Sequence, residues 1–381
     1  MSTANPKALS LPPMDKAVVA AVLLLAAVGV VAVYSATAFL VETKGSGDTE
    51  EFLFHHLIRV GLALGVAVAF SFWDYRRLAR FSKLFLLAAL ALLATVQVAG
   101  IASGGAARWL EIGALTFQPS DVAKVALLLH VAVLLARKQP YIQDLHRAFV
   151  PLAVWIGGTL LLIGIEDLST AAVLLMAVAV MLFVGRVRVL HLLGTAIVFG
   201  LLGGLFLASS PQRAARLEAY LGVSLFGNTD QAEVFDEQAE GYQARQARIA
   251  FALGGLTGVG PGKSVQRDFL PAPYNDFIFA IVAEEYGLLG ASALLLVFVY
   301  LLLRGYLRIA RGAPDPLGLF LATGLTSAIV LYGFVNAAVA SGLFPVTGLP
   351  MPFVSYGGTS LVATGAMVGI LLNISRHSKT A

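Results

Sequence analysis

Ionisable side chains at the edges of long apolar segments are the residues of this sequence best suited to chemistry. Asp121 and Lys124 lie three positions apart at the start of one segment, so a helix would carry both on one face, where they can pair. Asp276 starts a later segment, and Glu284 and Glu285 follow about 12 Å deeper in the same predicted helix. Because charged groups are costly in a membrane, each is a candidate for proton transfer or substrate binding. The alternatives are a structural ion pair for the first two residues and a helix N-cap for Asp276. We expect at least one of the glutamates to face a polar interior cavity.

Hydrogen-bond donors suited to phosphate accompany these carboxylates. Arg108 precedes a predicted helix start, and Lys263 and Gln266 shortly precede Asp276. A carboxylate can move a proton while nearby cations hold a diphosphate. This combination of residues is what a transferase of phosphorylated lipids needs.

Several other kinds of site are excluded by the sequence. The stretch TGVGPGKS at 257–264 nearly matches the nucleotide-binding pattern GxxxxGK[ST], but Thr257 replaces its first glycine and no strand precedes it. The absence of cysteine excludes disulfides and thiol catalysis, and the six histidines are too dispersed for a metal site. The net charge of +4 comes from basic residues scattered among short loops, which argues against nucleic-acid binding.

The elements that must position these residues are membrane helices. The chain is 58% hydrophobic and 13% charged, whereas a soluble domain carries roughly 25% charged residues. A bilayer needs roughly 20 apolar residues per helix. Runs that meet or approach this length lie at 17–40, 56–72, 84–100, 120–136, 149–165, 170–185, 188–208, 277–303, 317–341 and 353–374. The predicted fold is an all-α integral membrane protein with about ten transmembrane helices in a single domain, residues 1–381.

The distribution of Lys and Arg predicts the orientation of these helices. If the N-terminus is cytoplasmic, basic residues such as Arg76, Arg77 and Arg80 fall in cytoplasmic loops. The short loops on the opposite side are acidic, as at Glu166 and Asp167. Because positive loops stay inside, we expect both termini in the cytoplasm. We treat the first apolar run as a retained helix rather than a cleaved signal peptide.

Two outer loops are unusual. The connection at 209–275, between the seventh and eighth spans, is far longer than the others and is predicted to be a large extracytoplasmic loop. Its polar middle, 228–246, is expected to lie along the surface or move, and its Gly- and Pro-rich end, 249–276, to be structured. The last outer loop, 342–358, has irregular, uncharged sequence, which a membrane tolerates only where the backbone is buried or lines a cavity.

Three long stretches now identify a family. They are GGAARWLEIGALTFQPSDVAKVALLL (104–129), GGLTGVGPGKSVQRDFLPAPYNDFIFAIVAEEYG (254–287) and FPVTGLPMPFVSYGGTSLVATGAMVGILLNISRH (344–377). With the ten-span layout, the whole chain resembles the SEDS family (shape, elongation, division and sporulation), which contains RodA and FtsW. The motifs GPGKSVQ and NDFIFAIVAEEYG are more similar to those of FtsW, while PVTGLPMPF also resembles RodA. The loop IEDLST at 165–170 departs from the family's QPDLGT.

The resemblance implies an inverting peptidoglycan glycosyltransferase that polymerises lipid II, an undecaprenyl-diphosphate-linked disaccharide peptide, at the outer face of the bacterial cytoplasmic membrane. The family's catalytic aspartate maps to Asp276, with Tyr274-Asn275 in place of the usual His-Thr, and its QPSE-x-x-K carboxylate and lysine map to Asp121 and Lys124. The site residues expected to bind substrate are Arg108, Asp121, Lys124, Lys263, Gln266, Glu285 and Ser360. No cofactor is expected beyond a divalent cation, magnesium or manganese, drawn from solvent.

The resemblance also implies partners. A class B penicillin-binding protein would supply transpeptidation, within the divisome for cell division or the elongasome for elongation, and membrane lipid surrounds the helices. Two alternatives to a polymerase are a lipid II flippase, which would need polar residues that continue to the cytoplasmic side, and a non-catalytic scaffold, which would tolerate substitution of Asp276.

Overall fold

The computed structural model describes residues 14–44, 49–103, 106–112, 115–209, 214, 217–218, 220–221, 239–270 and 272–378. Its main elements are helices, which run over Lys16–Lys44 (α1), Thr49–Phe72 (α2), Tyr75–Arg80 (α3), Ser82–Ala99 (α4), Pro119–Lys138 (α5), Val150–Glu166 (α6), Leu168–Val184 (α7), Val189–Ala208 (α8), Ala239–Gly254 (α9), Ile278–Arg304 (α10), Pro316–Ala340 (α11) and Thr359–His377 (α12). Short 3-10 turns lie at Gln139–Tyr141 and Gln266–Asp268, and π-helical turns at Leu145–Phe149 and Gly305–Ala310.

Each of the ten apolar runs coincides with one of these helices. Eight helices in the described part are long and apolar enough to cross a membrane, and α4 and α7 are shorter apolar helices. The chain is therefore a multi-pass membrane protein built from helices, as predicted. The count of ten crossings stays a prediction, because the two shorter helices fall below the length of a full span.

The connection between α4 and α5 contains short strands that the sequence did not predict. Three short strands, Ile101–Ser103 (β1), Ala106–Ile112 (β2) and Leu115–Phe117 (β3), form an antiparallel sheet in the order β1-β2-β3. This segment is too short for a span, and backbone N–H and C=O groups at a membrane surface still need partners. Antiparallel pairing supplies those partners over a short length.

The helix at the centre of the bundle is α11. It contacts α5, α7, α10 and α12, and 83% of its apolar window is buried within the protein. At the other extreme, none of the window of α8 is buried, so this helix lies at the periphery. The most extensive pairing is between α12 and α2, where a Cβ atom at Gly365 would lie 2.2 Å from the Ala63 carbonyl oxygen. Only glycine permits this close approach.

The long connection between α8 and α10 is partly helical. Residues 239–246, which we expected to lie along the surface or move, form the first half of α9, which packs against α10. The rest of that predicted segment, 228–238, lies outside the described residues. After α9, the chain runs as a Gly-rich loop from Gly255 to Ser264 that also docks on α10.

Candidate functional site

Asp121 and Lys124 form the ion pair that their spacing predicts. Lys124 Nζ donates to Asp121 Oδ1 at 2.7 Å, and the two side chains are only 4% and 7% exposed. The second carboxylate oxygen, Asp121 Oδ2, accepts a hydrogen bond from Thr359 Oγ1 at 2.6 Å. The pair is therefore fully enclosed and connects the first turn of α5 to the first turn of α12.

Two helix N-termini, those of α5 and α12, meet at this pair. Pro119 starts α5 because its missing N–H is not needed there, and the Gln118 backbone N–H donates to Thr359 Oγ1 at 3.4 Å. Asp167, in the IEDLST loop, caps the neighbouring helix α7 by accepting from the backbone N–H groups of Ser169 and Thr170, each at 3.0 Å. Helix N-termini carry partial positive charge, so this arrangement favours an anion. The capping residue Asp167 is present even though the IEDLST loop differs from the family's QPDLGT.

A narrow cavity of about 10 Å³, room for about one water molecule, lies beside Lys124. Its walls come from α5, α11, α12 and the loop before α12, and Lys124 Nζ lies 4.8 Å from the centre of the Tyr332 ring. Half-buried Ser360 lines the cavity, as does buried Ser355. The full lining comprises Lys124, Ile329, Tyr332, Pro350, Met351, Pro352, Phe353, Ser355, Ser360, Leu361, Thr364 and Met367. The uncharged loop at 342–358 was expected to be buried or to line a cavity, and its residues from Pro350 to Phe353 together with Ser355 do line this one.

Asp276 is half-buried just before α10. That helix begins at Ile278 with Phe277 at the N-cap position, so the carboxylate does not stand where an N-cap would. Asn336 of α11 donates from Nδ2 to the Asp276 carbonyl oxygen at 2.8 Å. On the opposite side, Gly348 has a φ of +69°, and a Cβ atom there would lie 3.7 Å from Asp276 Oδ2. The carboxylate therefore points towards the last outer loop.

The same loop connects Asp276 with the Lys124 cavity. Ser355, which lines the cavity, donates from Oγ to the Asn275 carbonyl oxygen at 2.6 Å. The Asn336 amide that holds the Asp276 backbone also donates to the Leu349 carbonyl oxygen at 2.8 Å. Because Asn336 lies one helical turn beyond the cavity residue Tyr332, α11 and the loop both connect the Asp276 backbone with the Lys124 cavity, although Asp276 itself does not line that cavity.

An aromatic cluster that the sequence did not predict supports the segment before Asp276. The Tyr356 backbone N–H donates to the Tyr274 carbonyl oxygen at 2.8 Å, and the ring of Tyr356 stacks on Phe52 with centroids 4.5 Å apart. The guanidinium of Arg59 lies 4.4 Å from the centre of the Tyr356 ring. Burial raises the pKa of Tyr274, and the neighbouring Tyr356 adds to the effect, so the Tyr274 hydroxyl stays protonated. Tyr274 and Tyr356 lie inside the quoted family stretches, which was the only available signal.

Glu284 and Glu285 do not face a polar cavity, and that prediction was wrong. Glu284 is fully buried and accepts from Ser264 Oγ and from the backbone N–H groups of Val265, at 2.9 Å, and Gln266, at 3.2 Å. Glu285 is 1% exposed and accepts from Ser35 Oγ of α1. Loop donors therefore bind Glu284, and a serine of α1 binds Glu285. Gln266 is buried in the same turn, so its geometry and that of Glu285 favour positioning over direct substrate contact.

Arg108 and Lys263 lie outside the lining of the Lys124 cavity. Arg108 is half-buried on β2 and donates from Nε to the Glu166 carbonyl oxygen at 3.0 Å, at the junction of α6 and α7. Lys263 is exposed, and its aliphatic chain passes Gly260. Their roles in substrate binding stay predictions.

The resemblance of 257–264 to a nucleotide-binding loop has a structural explanation. The backbone N–H groups of Val259 and Gly260 donate to the carbonyl oxygens of Glu284 and Glu285 at 2.9 and 3.0 Å. These amides are used to dock the loop on α10, and a phosphate would need them free. As for metals, no three His, Asp or Glu side chains gather within the described residues.

The chain is similar to known proteins over nearly its whole length. Residues 15–380 match the family model FtsW/RodA/SpoVE, described as a cell cycle protein. The chain is 37% identical to stage V sporulation protein E of Bacillus subtilis (strain 168), covering 96% of this chain and 98% of that protein. It is 35% identical to the probable peptidoglycan glycosyltransferase FtsW of Geobacter sulfurreducens, covering 93% and 92%.

Solved structures have the same fold. One is a chain from a peptidoglycan synthase complex that coordinates polymerisation and cross-linking, with a TM-score of 0.76 and 28% identity over 95% of this chain and 98% of that one. The other is the rod shape determining protein RodA of Thermus thermophilus, with a TM-score of 0.70 and 27% identity over 99% of this chain and all of that one. The prediction of a helical membrane fold is therefore confirmed.

Proposed function

The chain belongs to the FtsW/RodA/SpoVE family of cell cycle proteins, and on that premise we propose that it polymerises lipid II into β-1,4 glycan strands. It is a peptidoglycan glycosyltransferase, as its FtsW relatives are named. We propose that the reaction takes place at the outer face of the bacterial cytoplasmic membrane, with both termini in the cytoplasm.

One observation carries the assignment of the site. The loop at 342–358 contacts Asp276 on one side and lines the Lys124 cavity on the other, with Ser355 bonded to the Asn275 carbonyl oxygen. A carboxylate and an ammonium group that lie on either side of one loop suit a reaction in which a hydroxyl loses a proton while a diphosphate departs.

In the proposed mechanism Asp276 is the general base. It takes the proton from the 4-hydroxyl of the acceptor GlcNAc as that oxygen attacks C1 of the donor MurNAc. The new C–O bond forms as the bond from C1 to the α-linked diphosphate breaks, which gives a β linkage with inversion and needs no covalent intermediate. The proton on Asp276 then passes to solvent, and undecaprenyl diphosphate leaves.

The leaving diphosphate gains negative charge, and Lys124 is proposed to offset it. An ammonium group has three N–H donors, of which Asp121 uses one, so donors remain for phosphate oxygens. The hydroxyl of Ser360 lies on the wall of the same cavity and can donate to the diphosphate. The positive ends of α5 and α12 add to the field at this point.

The remaining predicted residues have supporting roles in this proposal. Arg108 and Lys263 would contact outer parts of the donor or acceptor, since neither lines the cavity. Gln266 acts as a positioning residue because its backbone N–H bonds Glu284 and secures the turn before Asp276, and Glu285 acts as one because it bonds Ser35 of α1 to α10. A divalent cation, if used, would arrive with the diphosphate, and no step above depends on it.

The partner proposed for this enzyme is a penicillin-binding protein of class B, which would cross-link the strands that this chain polymerises. This is supported by the fold shared with a chain of a complex that couples polymerisation to cross-linking. The motif sequences are more similar to FtsW, which favours a place in the divisome. The elongasome is the alternative assembly, since RodA has the same fold.

The proposal is tested with the purified wild-type chain in proteoliposomes supplied with lipid II, with and without the penicillin-binding protein. Polymerisation gives glycan strands longer than one disaccharide on the gel. Translocation of labelled lipid II without strand growth would identify a flippase instead. Equal strand growth with the wild-type chain and with its Asp276→Ala variant, in a sample that contains a separate partner synthase, would identify a scaffold.

A further inference from the structure

A pocket of about 440 Å³ opens at the end of the molecule opposite to the Lys124 cavity. It lies where α2 ends, α3 begins and α12 ends, and it belongs to no part of the mechanism above. Two arginines line it, Arg77 from α3 and Arg376 from α12, together with the aromatic side chains of Phe72 and Trp73. The proposed orientation puts this pocket at the cytoplasmic leaflet.

Arg376 is a buried cation that pairs with no carboxylate among the residues that the structure describes. The residue is 5% exposed, and its Nε finds no hydrogen-bond partner among the residues that the structure describes. Its guanidinium lies 4.3 Å from the centre of the Phe72 ring. A cation–π contact recovers only part of what a guanidinium loses on leaving water. The pocket therefore contains a buried positive charge that a bound anion would neutralise.

The other polar groups of the pocket already have partners. Asn373 donates from Nδ2 to the Ser71 carbonyl oxygen at 3.0 Å and accepts from the Tyr75 backbone N–H at 3.0 Å. The one acid on the lining, Asp74, accepts from the backbone N–H of Arg76 at 2.8 Å as the N-cap of α3. Two arginines thus face one occupied carboxylate, and the pocket keeps a positive charge.

The mouth of the pocket is suited to lipid. Phe72 and Trp73 are 57% and 52% exposed and stand at the end of a predicted span, the depth at which aromatic side chains border the headgroups. We propose that this pocket binds the headgroup of an anionic phospholipid, with its phosphate between Arg376 and Arg77 and its acyl chains against Phe72 and Trp73. Basic pockets between membrane helices bind anionic headgroups elsewhere by the same charge pairing.

Trp73 provides a direct reporter of this binding. The chain has three tryptophans, so replacing Trp109 and Trp155 by Phe leaves Trp73 as the only one. This protein is placed in nanodiscs of phosphatidylcholine that contain a fixed minor fraction of either dibrominated phosphatidylglycerol or dibrominated phosphatidylcholine. Bromine quenches tryptophan at contact, so the ratio of the two quenching curves measures the preference of the pocket for the anionic lipid.

The expected preference is roughly fivefold for each arginine that contacts the headgroup. Arg376→Gln and Arg77→Gln should each lower it by about that factor. Arg80→Gln is the matched control, because Arg80 lies exposed on the same α3 but outside the pocket lining, and the preference should persist. Arg77 is also exposed, so its variant tests the site even where Arg376→Gln fails to fold.

Two results would overturn the proposal. Equal quenching by the two brominated lipids in the wild-type background would mean that the pocket does not select an anionic headgroup. Removal of the preference by millimolar inorganic phosphate would assign the pocket to a soluble anion instead of a lipid.

Discussion

The hydrogen bond between Lys124 and Asp121 is compatible with two different roles. As a structural pair, the residues would only connect α5 to α12 through Thr359. As part of the catalytic site, Lys124 must also present its remaining donors to the cavity. The two roles make different predictions for single and double substitutions.

Lys124→Met should lower the free energy of unfolding by about 3–5 kcal/mol, because it leaves Asp121 as an unpaired buried charge. The double variant Asp121→Asn with Lys124→Met should recover most of that loss, since a buried pair is often replaced at little cost. Polymerisation of lipid II should stay lost in both variants. Thermal unfolding and glycan synthesis measured on the same samples separate the two effects, and recovery of synthesis in the double variant would make the pair purely structural.

At the residue scale, local spacing could be predicted from the sequence and distant contacts could not. The i to i+3 spacing was sufficient to predict the ion pair. Its third member, Thr359, lies 238 positions away from Asp121, and no local pattern reports such a contact. The same limit explains the error over Glu284, whose burial signals a polar environment but does not say that loop amides provide it.

At the element scale, the break in α10 positions the Gly-rich loop from Gly255 to Ser264. Gly287 interrupts the helix with φ +65° and ψ −167°. Beyond the break, the backbone N–H groups of Leu288 and Leu289 donate to the carbonyl oxygens of Gly255 and Leu256 at 2.9 and 3.1 Å. The loop therefore continues the hydrogen bonding that the helix loses, and it stays fixed beside the turn held by Glu284.

Gly287→Ala should detach this loop. A Cβ atom would lie 2.4 Å from both the Leu256 carbonyl oxygen and the Gly258 backbone nitrogen, in a conformation that alanine rarely adopts. We expect a loss of about 1–3 kcal/mol in the free energy of unfolding, faster proteolysis within 255–264 and reduced polymerisation. Gly61→Ala is the control, because a Cβ there meets nothing within 4 Å and a helix gains up to about 1 kcal/mol. Equal behaviour of the two variants would refute the role given to the break.

The elements themselves were predicted to different degrees. Apolar length located all the long helices, because a bilayer demands it of every span. The sheet of β1, β2 and β3 was missed, since its strands are short and depend on one another for pairing. The break at Gly287 was missed as well, because a single glycine in an apolar run is common in membrane helices.

At the scale of the whole molecule, the account requires one orientation in the membrane. The Lys124 cavity must face the outside, where lipid II is polymerised, and the Arg376 pocket must face the cytoplasm. The sequence predicts this from the basic loops, and the fold is compatible with it, since α5 and α12 both begin at the end that holds the cavity. Topology is a property of the chain in a cell and needs its own test.

The absence of cysteine makes that test simple. Asp268→Cys and Glu111→Cys each place one thiol at an exposed position of the predicted outer side, and Arg80→Cys and Arg311→Cys do so on the inner side. In intact spheroplasts, a membrane-impermeant maleimide should label the first two and spare the others until the membrane is opened. Labelling of Arg80→Cys in sealed cells would invert the topology and remove the site from its substrate.

The central claim is that the carboxylate of Asp276 acts as the base, and one substitution tests it most directly. Asp276→Asn keeps the size of the side chain and removes its basicity, whereas Asp268→Asn makes the same change at an exposed position of the same loop. The measurement is the initial rate of lipid II polymerisation by each purified variant, at equal thermal stability. A fall of about 10²–10⁴-fold for Asp276→Asn, with near wild-type rates for Asp268→Asn, is the predicted result. Wild-type polymerisation by Asp276→Asn would contradict the account.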